Sequence, residues 1–382
     1  MRLYLAGQGI NNELNCFTEA GYDRLLSYEL NKSLIDLTLA RENPESDMYI
    51  LNNLKEELMD LFLSGAEKFG KEEQMRDLDL YLVGPEKSNI MEVATDELKS
   101  NVLFSYAEKK AVDKYRPDIF RNHGKLFIDS GAFSAWTQGK VIDVDEYIDW
   151  INERAEYIDL YGQVDVIPGD RNSGRIATRE EVKEAAEKTW ENYLYMRPKM
   201  KNPEGLLYTF HVGEPIEFLI QALKWTDSNG NPIPYIALGG MVGKPAEVRD
   251  RFLSQCFQII KNSDNPQVKV HAFGMTDRNL LRKYPITSAD STSWIMTAAT
   301  GSIMTDVGTI AVSNQQINSP SHYSHLPKNA IDEFNKNIAE FGFTLDELAE
   351  SRDKRIMHNA RFMKKRFSEL EYKPAPERKK LF

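Results

Sequence analysis

From Lys125 onward, short apolar runs alternate along the chain with longer segments of helical pattern. In the helical segments Leu, Ile and Phe recur every three or four positions among charged residues, which is typical of amphipathic helices. Strands that alternate with helices and short turns predict parallel βαβ units. The predicted strands are Leu126–Asp129, Val164–Ile167, Leu207–Phe210, Tyr235–Leu238, Val268–Phe273 and Ile286–Ala289, and the first predicted helix is Val144–Tyr161.

Two further strands from the first third of the chain bring the number to eight, the count of a closed α/β barrel. The candidates are Arg2–Ala6, Leu78–Gly84 and Asn101–Tyr106, and the sequence leaves open which of the first two begins the barrel. An open doubly wound sheet is the alternative, but no GxGxxG follows any strand. The predicted fold is therefore a (β/α)8 TIM-like barrel.

The predicted barrel spans residues 1–325, and residues 11–100 form a mostly helical insertion in it. From Asp290 to Ser324 the chain is rich in Ser, Thr, Gly and Asn, which predicts loops over the barrel mouth. Residues 326–382 are predicted to form a C-terminal helical extension with a basic tail. The insertion has no function that the sequence reveals.

Composition narrows the class of protein. A hydrophobic fraction of 41% over 382 residues predicts a folded domain or two. Cys16 and Cys256 are far apart, so they suggest neither a disulfide framework nor a zinc motif, which suits a reducing cytoplasm. The first residues are too short an apolar run for a signal peptide, and no stretch is long and apolar enough to span a bilayer. We therefore expect a cytoplasmic protein.

The net charge of −10 argues against a surface that binds nucleic acid indiscriminately, although a local basic face remains compatible with it. Lysine and arginine are concentrated from Arg352 to Lys380. Two interpretations stand equally: a solubilising tail, which is common, or a patch that contacts phosphates.

Several predicted strands end in residues that can do chemistry. Asp129 follows a wholly apolar strand, and Asp290 ends the stretch YPITSAD. Carboxylates in these positions lie at the C-terminal face of a barrel, where such enzymes place their active sites. Asp170 follows another strand but also fits a simple turn. His211 and His271 end strands too, and a structural role is the default for each.

Two carboxylates that face one cavity are the minimal equipment for chemistry at a glycosidic bond. One attacks the anomeric carbon, and the other handles the proton of the leaving group. The residues alone equally allow a sugar hydrolase or an aldolase-like barrel.

Four motifs together resemble the tRNA-guanine transglycosylase superfamily over roughly Val102–Trp294. The family motif DSGG(F/Y)Q is similar to DSGAFS at Asp129–Ser134, and GGLAVGE is similar to GGMVGK at Gly239–Lys244. A strand led by histidine resembles HAFGM at His271–Met275. The family's nucleophilic aspartate falls at the end of the next strand, where this chain has Asp290.

The departures from the family pattern indicate which branch of the superfamily the chain resembles. Members that act on tRNA carry a CxCxxC…H zinc site after the nucleophile, whereas no cysteine follows Asp290 here. In the members that act on tRNA a pair of glutamines recognises the base, and the matching positions here lie near His211 and Val212. Those members also have an arginine-containing loop after the nucleophile, where this chain has STSWIMTAATG. The chain is most similar to the DNA-guanine transglycosylase branch of bacteriophages and bacterial genomic islands, which would place it in the host cytoplasm if phage-encoded.

The resemblance implies exchange of guanine in DNA for a 7-deazaguanine, preQ0 or a close relative. Asp290 would be the nucleophile, and Asp129 would hold the base edge and shuttle its proton. The implied substrate-binding positions are Ser130, Gly131, Phe133, Asp170, His211, Gly239 and Gly240. No cofactor is implied, zinc included, and the partners would be DNA and the free base, with a homodimer or a helper protein left open.

Three alternatives remain at this stage. The chain could exchange bases in tRNA rather than DNA. It could be a non-catalytic barrel that binds nucleic acid as the subunit of a transglycosylase pair, although the presence of Asp290 argues against this. It could also be a glycoside hydrolase, which would turn over carbohydrate and exchange no base.

Overall fold

The structure is a computed structural model that describes residues 78–84, 88–114, 124–169, 176–370 and 372. Eight parallel strands form a closed barrel in which each pairs with the next and β1 pairs with β8. This confirms the predicted (β/α)8 barrel. The strands are β1 Asp79–Val83, β2 Asn101–Ser105, β3 Leu126–Asp129, β4 Leu160–Gly162, β5 Leu206–His211, β6 Tyr235–Gly239, β7 Lys269–Ala272 and β8 Ser288–Ser291.

Helices fill most of the connections between these strands. Several helices are capped at the N-terminus by a polar side chain. Thr178 and Asp277 accept hydrogen bonds from backbone N–H groups in the first turn of the helices that follow them. Within the described residues, no helix has the length and apolar character that a membrane crossing requires. The α-helices are Ser88–Glu92, Ala132–Thr137, Val144–Glu153, Arg179–Met196, Ile216–Lys224, Ala246–Lys261, Arg278–Lys283, Ser293–Ala299, Lys328–Glu340, Leu345–Glu350 and Arg352–Ser368.

The barrel interior is packed with large apolar side chains from successive strands. Because side chains alternate across a strand, residues two apart on one strand share the interior face. One buried cluster contains one or two residues from each of several strands, and partly buried Leu160 of β4 and Phe273 beyond β7 pack against it. Its buried members are Tyr81, Leu103, Phe127, Leu207, Tyr235 and Ala237.

The prediction for β4 was wrong. The helix expected to extend to Tyr161 ends at Glu153, and the strand lies at Leu160–Gly162 instead of 164–167. The alternating stretch at 164–167 has the hydrophobic pattern of a strand, but Leu160 and Tyr161 pair with β3. Tertiary pairing therefore overrides local pattern here, as it commonly does for short strands.

The barrel begins at β1, which settles the choice that the sequence left open in favour of the second strand candidate. The expected helical region 11–100 thus contains a barrel strand, followed by the helix Ser88–Glu92 and a π-helical turn, Val93–Glu97. The candidate at Arg2–Ala6 and the amphipathic pattern over 11–75 lie outside the described residues.

The segment after β8 is more ordered than the expected loops over the mouth. It forms the helix Ser293–Ala299 and then an antiparallel hairpin, β9 Ser302–Thr305 and β10 Gly308–Ala311. Trp294 is fully buried and donates through Nε1 to the carbonyl of Val83, 3.2 Å away. The composition predicted loops because Ser, Thr and Gly are poor markers of short buried elements, which are stabilised by their packing partners.

The C-terminal helix Arg352–Ser368 is an integral part of the barrel unit. Buried Asn359 accepts a hydrogen bond from the N–H of Met304 (2.8 Å) and donates one to the carbonyl of Trp294 (3.0 Å). Buried Arg355 donates to the carbonyls of Ala298 (3.1 Å) and Leu348 (2.8 Å). These contacts tie the helix to the segment that follows β8.

The basic side chains of this helix largely pair within the protein. Arg361 makes a bidentate ion pair with Glu97, and Arg366 contacts both Asp306 and Glu340 at 2.7 and 2.8 Å. Lys365 also pairs with Glu340. These pairs do not decide between the two interpretations of Arg352–Lys380, a solubilising tail or a phosphate-contacting patch, and residues 373–380 lie outside the described residues.

Contacts between Cα atoms divide the chain into two compact units. Of the described residues, those within 78–242 and 267–372 belong to the barrel unit, and residues 243–266 belong to the other unit. The helix Ala246–Lys261 of the second unit carries Glu247 in its first turn and Lys261 in its last. This arrangement of charges complements the helix dipole.

We predict that Asn359→Leu destabilises the protein by about 2–4 kcal/mol, because the buried carbonyl of Trp294 and the partly buried N–H of Met304 lose their partner. Urea unfolding followed by circular dichroism measures the change. Arg352→Ala, at an exposed position in the first turn of the same helix, is the control and should leave the free energy of unfolding nearly unchanged. A loss of less than about 1 kcal/mol in Asn359→Leu would contradict this account.

Candidate active site

Three ionisable side chains lie on the interior side of the barrel, near the C-terminal ends of their strands. Asp129 lies two residues after Phe127 on β3, and Asp290 lies two residues after Ser288 on β8. His211 ends β5. In each case the period of two residues places the polar group on the interior side at the barrel mouth.

One oxygen of the Asp290 carboxylate is held by two donors. The backbone N–H of Gly274 donates to Oδ1 at 2.9 Å, and His271 Nε2 lies 3.1 Å from the same atom. Oδ2 makes no hydrogen bond with any described residue. The carboxylate is therefore fixed in orientation with one oxygen free to act, which is the arrangement that a nucleophile needs.

Asp129 lies at a tight turn that leads from β3 into the helix Ala132–Thr137. Gly131 adopts a left-handed conformation with φ 73° and donates its N–H to Asp129 Oδ2 at 3.1 Å. A Cβ at position 131 would lie 2.6 Å from the Ser105 hydroxyl oxygen, so the turn requires glycine on two grounds. The turn thereby fixes the carboxylate at the end of its strand.

The surroundings of Asp129 raise the pKa of its carboxyl group to about 7. Burial is the largest cause, and the negative charges of Asp165 and Asp290 add to it. The hydrogen bond from Gly131 and the charge of His211 act in the opposite direction. A carboxyl group with a pKa near neutrality can both give and take a proton, which suits a general acid and base.

His211 lies between two acidic side chains. Its Nδ1 is 2.9 Å from Glu214 Oε1, its backbone N–H donates to Glu214 Oε2 at 3.0 Å, and Nε2 is 3.6 Å from Asp165 Oδ2. Burial by itself lowers the pKa of His211, but the charges of Asp165 and Glu214 outweigh it and raise the pKa well above its usual value. A cationic imidazole therefore sits at the mouth with its Nε2–H beyond hydrogen-bonding distance of Asp165.

The two glycines at the end of β6, Gly239 and Gly240, each have a steric reason. A Cβ on Gly239 would lie 2.6 Å from Cδ2 of the His211 ring. Gly240 has φ 74°, and a Cβ there would approach the backbone nitrogen of Val212 to 3.1 Å. Gly239 therefore makes room for the imidazole, a role that the sequence did not predict.

The other predicted substrate-binding residues have different surroundings. Ser130 is buried, and its hydroxyl accepts a long hydrogen bond, 3.4 Å, from the N–H of Ala132 within the turn. Phe133 is 64% exposed and stacks on Trp136, with ring centroids 6.1 Å apart. Asp170 lies outside the described residues.

Sequence reasoning missed two members of this site, Asp165 and Glu214. Asp165 was hidden in the predicted strand 164–167, whereas it lies three residues beyond the observed β4. Glu214 was not among the predicted site residues, although its spacing of three from His211 is a detectable signal. The contact of His271 with Asp290 could not be read from the sequence either, because it joins different strands.

The described residues contain no group of three or more His, Cys, Asp or Glu side chains arranged to hold a metal ion. A comparison with models of known protein families gives no match, and a comparison with curated protein sequences gives none either. The functional interpretation of this chain therefore depends on its motifs and on the geometry of the barrel mouth.

We predict that Gly239→Ala displaces the His211 imidazole from its two acidic neighbours. The pKa of His211 should then fall toward its ordinary value, as measured by NMR titration of histidine-labelled protein. Gly162→Ala is the matched control, since a Cβ at that buried strand position approaches nothing closer than the Ser130 nitrogen at 3.8 Å. An unchanged His211 titration in Gly239→Ala would contradict the predicted displacement of the imidazole.

We predict that Asp129→Asn stabilises the protein at high pH. With a pKa of about 7 in the folded state and 3.8 unfolded, the folded protein binds the extra proton between these values, so its stability falls as pH rises through that window. Asparagine has no such penalty. The gain should be roughly 2–3 kcal/mol larger at pH 8 than at pH 5.

Urea unfolding of wild type and variant at both pH values tests this prediction. The exposed carboxylate of Asp149 provides the control, and Asp149→Asn should show nearly the same difference from wild type at pH 5 and pH 8. An Asp129→Asn effect that does not grow with pH would contradict the raised pKa.

Proposed function

We propose that this chain is a DNA-guanine transglycosylase that exchanges guanine for a 7-deazaguanine base, preQ0 or a close relative. The observation that carries the proposal is the pair of carboxylates at the barrel mouth. Asp290 has one oxygen held and the other free, and Asp129 has a pKa of about 7. Together with the motifs that resemble the transglycosylase superfamily, this pair fits a two-step displacement at a glycosidic carbon.

In the first step Asp290 Oδ2 forms a bond to C1′ of the deoxynucleotide while the C1′–N9 bond breaks. The bonding electrons leave with guanine, which takes a proton from Asp129 in its acid form. In the second step the incoming base gives its N9 proton to the Asp129 carboxylate and bonds to C1′, and the bond to Asp290 breaks. One proton thus returns to Asp129, and the glycosidic bond is conserved without a nucleotide triphosphate.

The neighbouring side chains of His211 and Asp165 suit a guanine-like edge. His211 offers an Nε2–H donor, and Asp165 offers a carboxylate acceptor 3.6 Å away. Guanine and 7-deazaguanines carry an O6 acceptor beside N1–H and N2–H donors, which is the complementary pattern. This arrangement favours a purine-like base over a sugar and weighs against the glycoside hydrolase alternative.

Nucleic acid must present its C1′ to these carboxylates. In duplex DNA this requires the nucleotide to leave the base stack, which costs a few kcal/mol. The exposed ring of Phe133, stacked on Trp136, is a candidate platform for a displaced base. The ion-paired arginines of the C-terminal helix are not candidates for phosphate contacts, so such contacts would come from other basic residues.

The decisive experiment incubates the protein with labelled preQ0 and either DNA or tRNA, and then analyses the nucleosides by mass spectrometry. We expect label in DNA. Asp290→Asn should reduce incorporation by roughly 10³-fold or more, because the nucleophile is lost. Asp129→Asn should reduce it by roughly 10²- to 10⁴-fold, the usual contribution of a general acid and base.

The exposed variant Asp149→Asn is the control and should retain wild-type incorporation. Label in tRNA alone would replace the proposal with a tRNA-guanine transglycosylase. Full incorporation by Asp290→Ala would show that Asp290 is not the nucleophile, and binding of nucleic acid without incorporation by wild type would favour the non-catalytic barrel. Turnover of carbohydrate without base exchange would identify a glycoside hydrolase.

A further inference from the structure

A column of polar groups runs through one side of the barrel interior and ends at Asp290. The Tyr235 hydroxyl donates to Ser288 Oγ at 2.7 Å, Ser288 Oγ lies 2.6 Å from His271 Nδ1, and His271 Nε2 lies 3.1 Å from Asp290 Oδ1. Tyr235, Ser288 and His271 are all buried. The other members of the interior cluster around them are aliphatic or aromatic side chains.

The donors and acceptors of this column assign the histidine tautomer. The Ser288 oxygen already accepts from Tyr235, and its own hydrogen has no acceptor among the described residues other than His271 Nδ1. If Nδ1 accepts, the ring proton is on Nε2, from which it donates to Asp290. Each hydrogen bond in the column thus has one donor and one acceptor, and all run toward the carboxylate.

Aromatic side chains pack around the His271 imidazole and hold it in this orientation. The rings of Phe127 and Phe273 meet the His271 ring edge to face, with centroids 4.8 and 4.6 Å away, and Tyr81 does so at 6.0 Å. Such contacts are favourable and restrict rotation of the ring. The partners of both ring nitrogens and the orientation of the ring are therefore determined by its surroundings.

We propose that Tyr235, Ser288 and His271 form a relay of positioning residues, which orients Asp290 for attack by fixing the Nε2–H tautomer of His271. This inference rests on the proposed function of Asp290 as a nucleophile. A buried polar column in an apolar interior is less stabilising than hydrophobic packing unless every member is paired, so its presence calls for a role beyond stability. With Oδ1 occupied by His271 and Gly274, only Oδ2 is presented to the substrate.

The tautomer can be measured without any substrate. Long-range ¹H–¹⁵N NMR of the histidine-labelled protein separates the two ring nitrogens, and loss of a signal in His271→Gln identifies His271 among the six histidines. We expect a protonated Nε2 and an unprotonated Nδ1 in wild type. A ring protonated on Nδ1, or on both nitrogens, at neutral pH overturns the proposal, whatever the activity of the protein.

Kinetics of base exchange test the role of the relay. We expect Ser288→Ala and Tyr235→Phe to lower kcat roughly 10- to 100-fold with little change in KM, as is typical when a partner that orients a reactive group is removed. His271→Gln, which keeps a donor for Asp290, should retain more activity than His271→Leu. Wild-type kcat in Ser288→Ala, or equal activity of the two His271 variants, overturns the proposal.

The chain offers matched controls. Ser100→Ala and Tyr208→Phe each remove a buried hydroxyl that has no hydrogen-bond partner among the described residues, and both should leave kcat unchanged. An equal loss of kcat in the controls would show that any buried hydroxyl matters and would overturn the assigned role. If wild type exchanges no base, the proposed function fails, but the NMR measurement still decides whether the relay sets the tautomer.

Discussion

Repulsion among carboxylates confined to one end of a barrel is the constraint on which this site depends. Asp165 and Asp290 both raise the pKa of Asp129, which burial has already raised. The repulsion is limited because His211 carries a positive charge between Asp165 and Glu214, and because Asp290 is held by two donors. One carboxyl group is thereby kept ready to exchange a proton while another is held as an oriented carboxylate.

The closed barrel supplies the rigidity that this arrangement requires. The carboxylates of the site each lie two residues beyond a side chain that packs inside the barrel. Phe127 precedes Asp129 in this way on β3, and Ser288 precedes Asp290 on β8. Glycine appears where a side chain would collide with the site, at Gly131 and Gly239. Reactive groups on rigid strands keep their geometry better than groups on loops.

The C-terminal helix shows how a sequence feature can change its meaning in the folded protein. Its lysines and arginines suggest a surface for phosphates, yet Arg355, Arg361 and Arg366 are engaged with backbone carbonyls or acidic side chains. Asn359 joins the same helix to the segment after β8 through one buried and one partly buried hydrogen bond. Most of the basic charge of this helix therefore stabilises the fold.

The sequence by itself determined the alternation of strands and helices, the (β/α)8 fold and the strand-end positions of Asp129, His211 and Asp290, because periodicity and local apolar runs are properties of neighbouring residues. Only the tertiary structure decided where β4 lies, that Asp165 and Glu214 flank His211, and that His271 contacts Asp290. The pKa of Asp129 likewise depends on charges from other strands. These features arise from contacts between segments far apart in the chain, which no local pattern encodes.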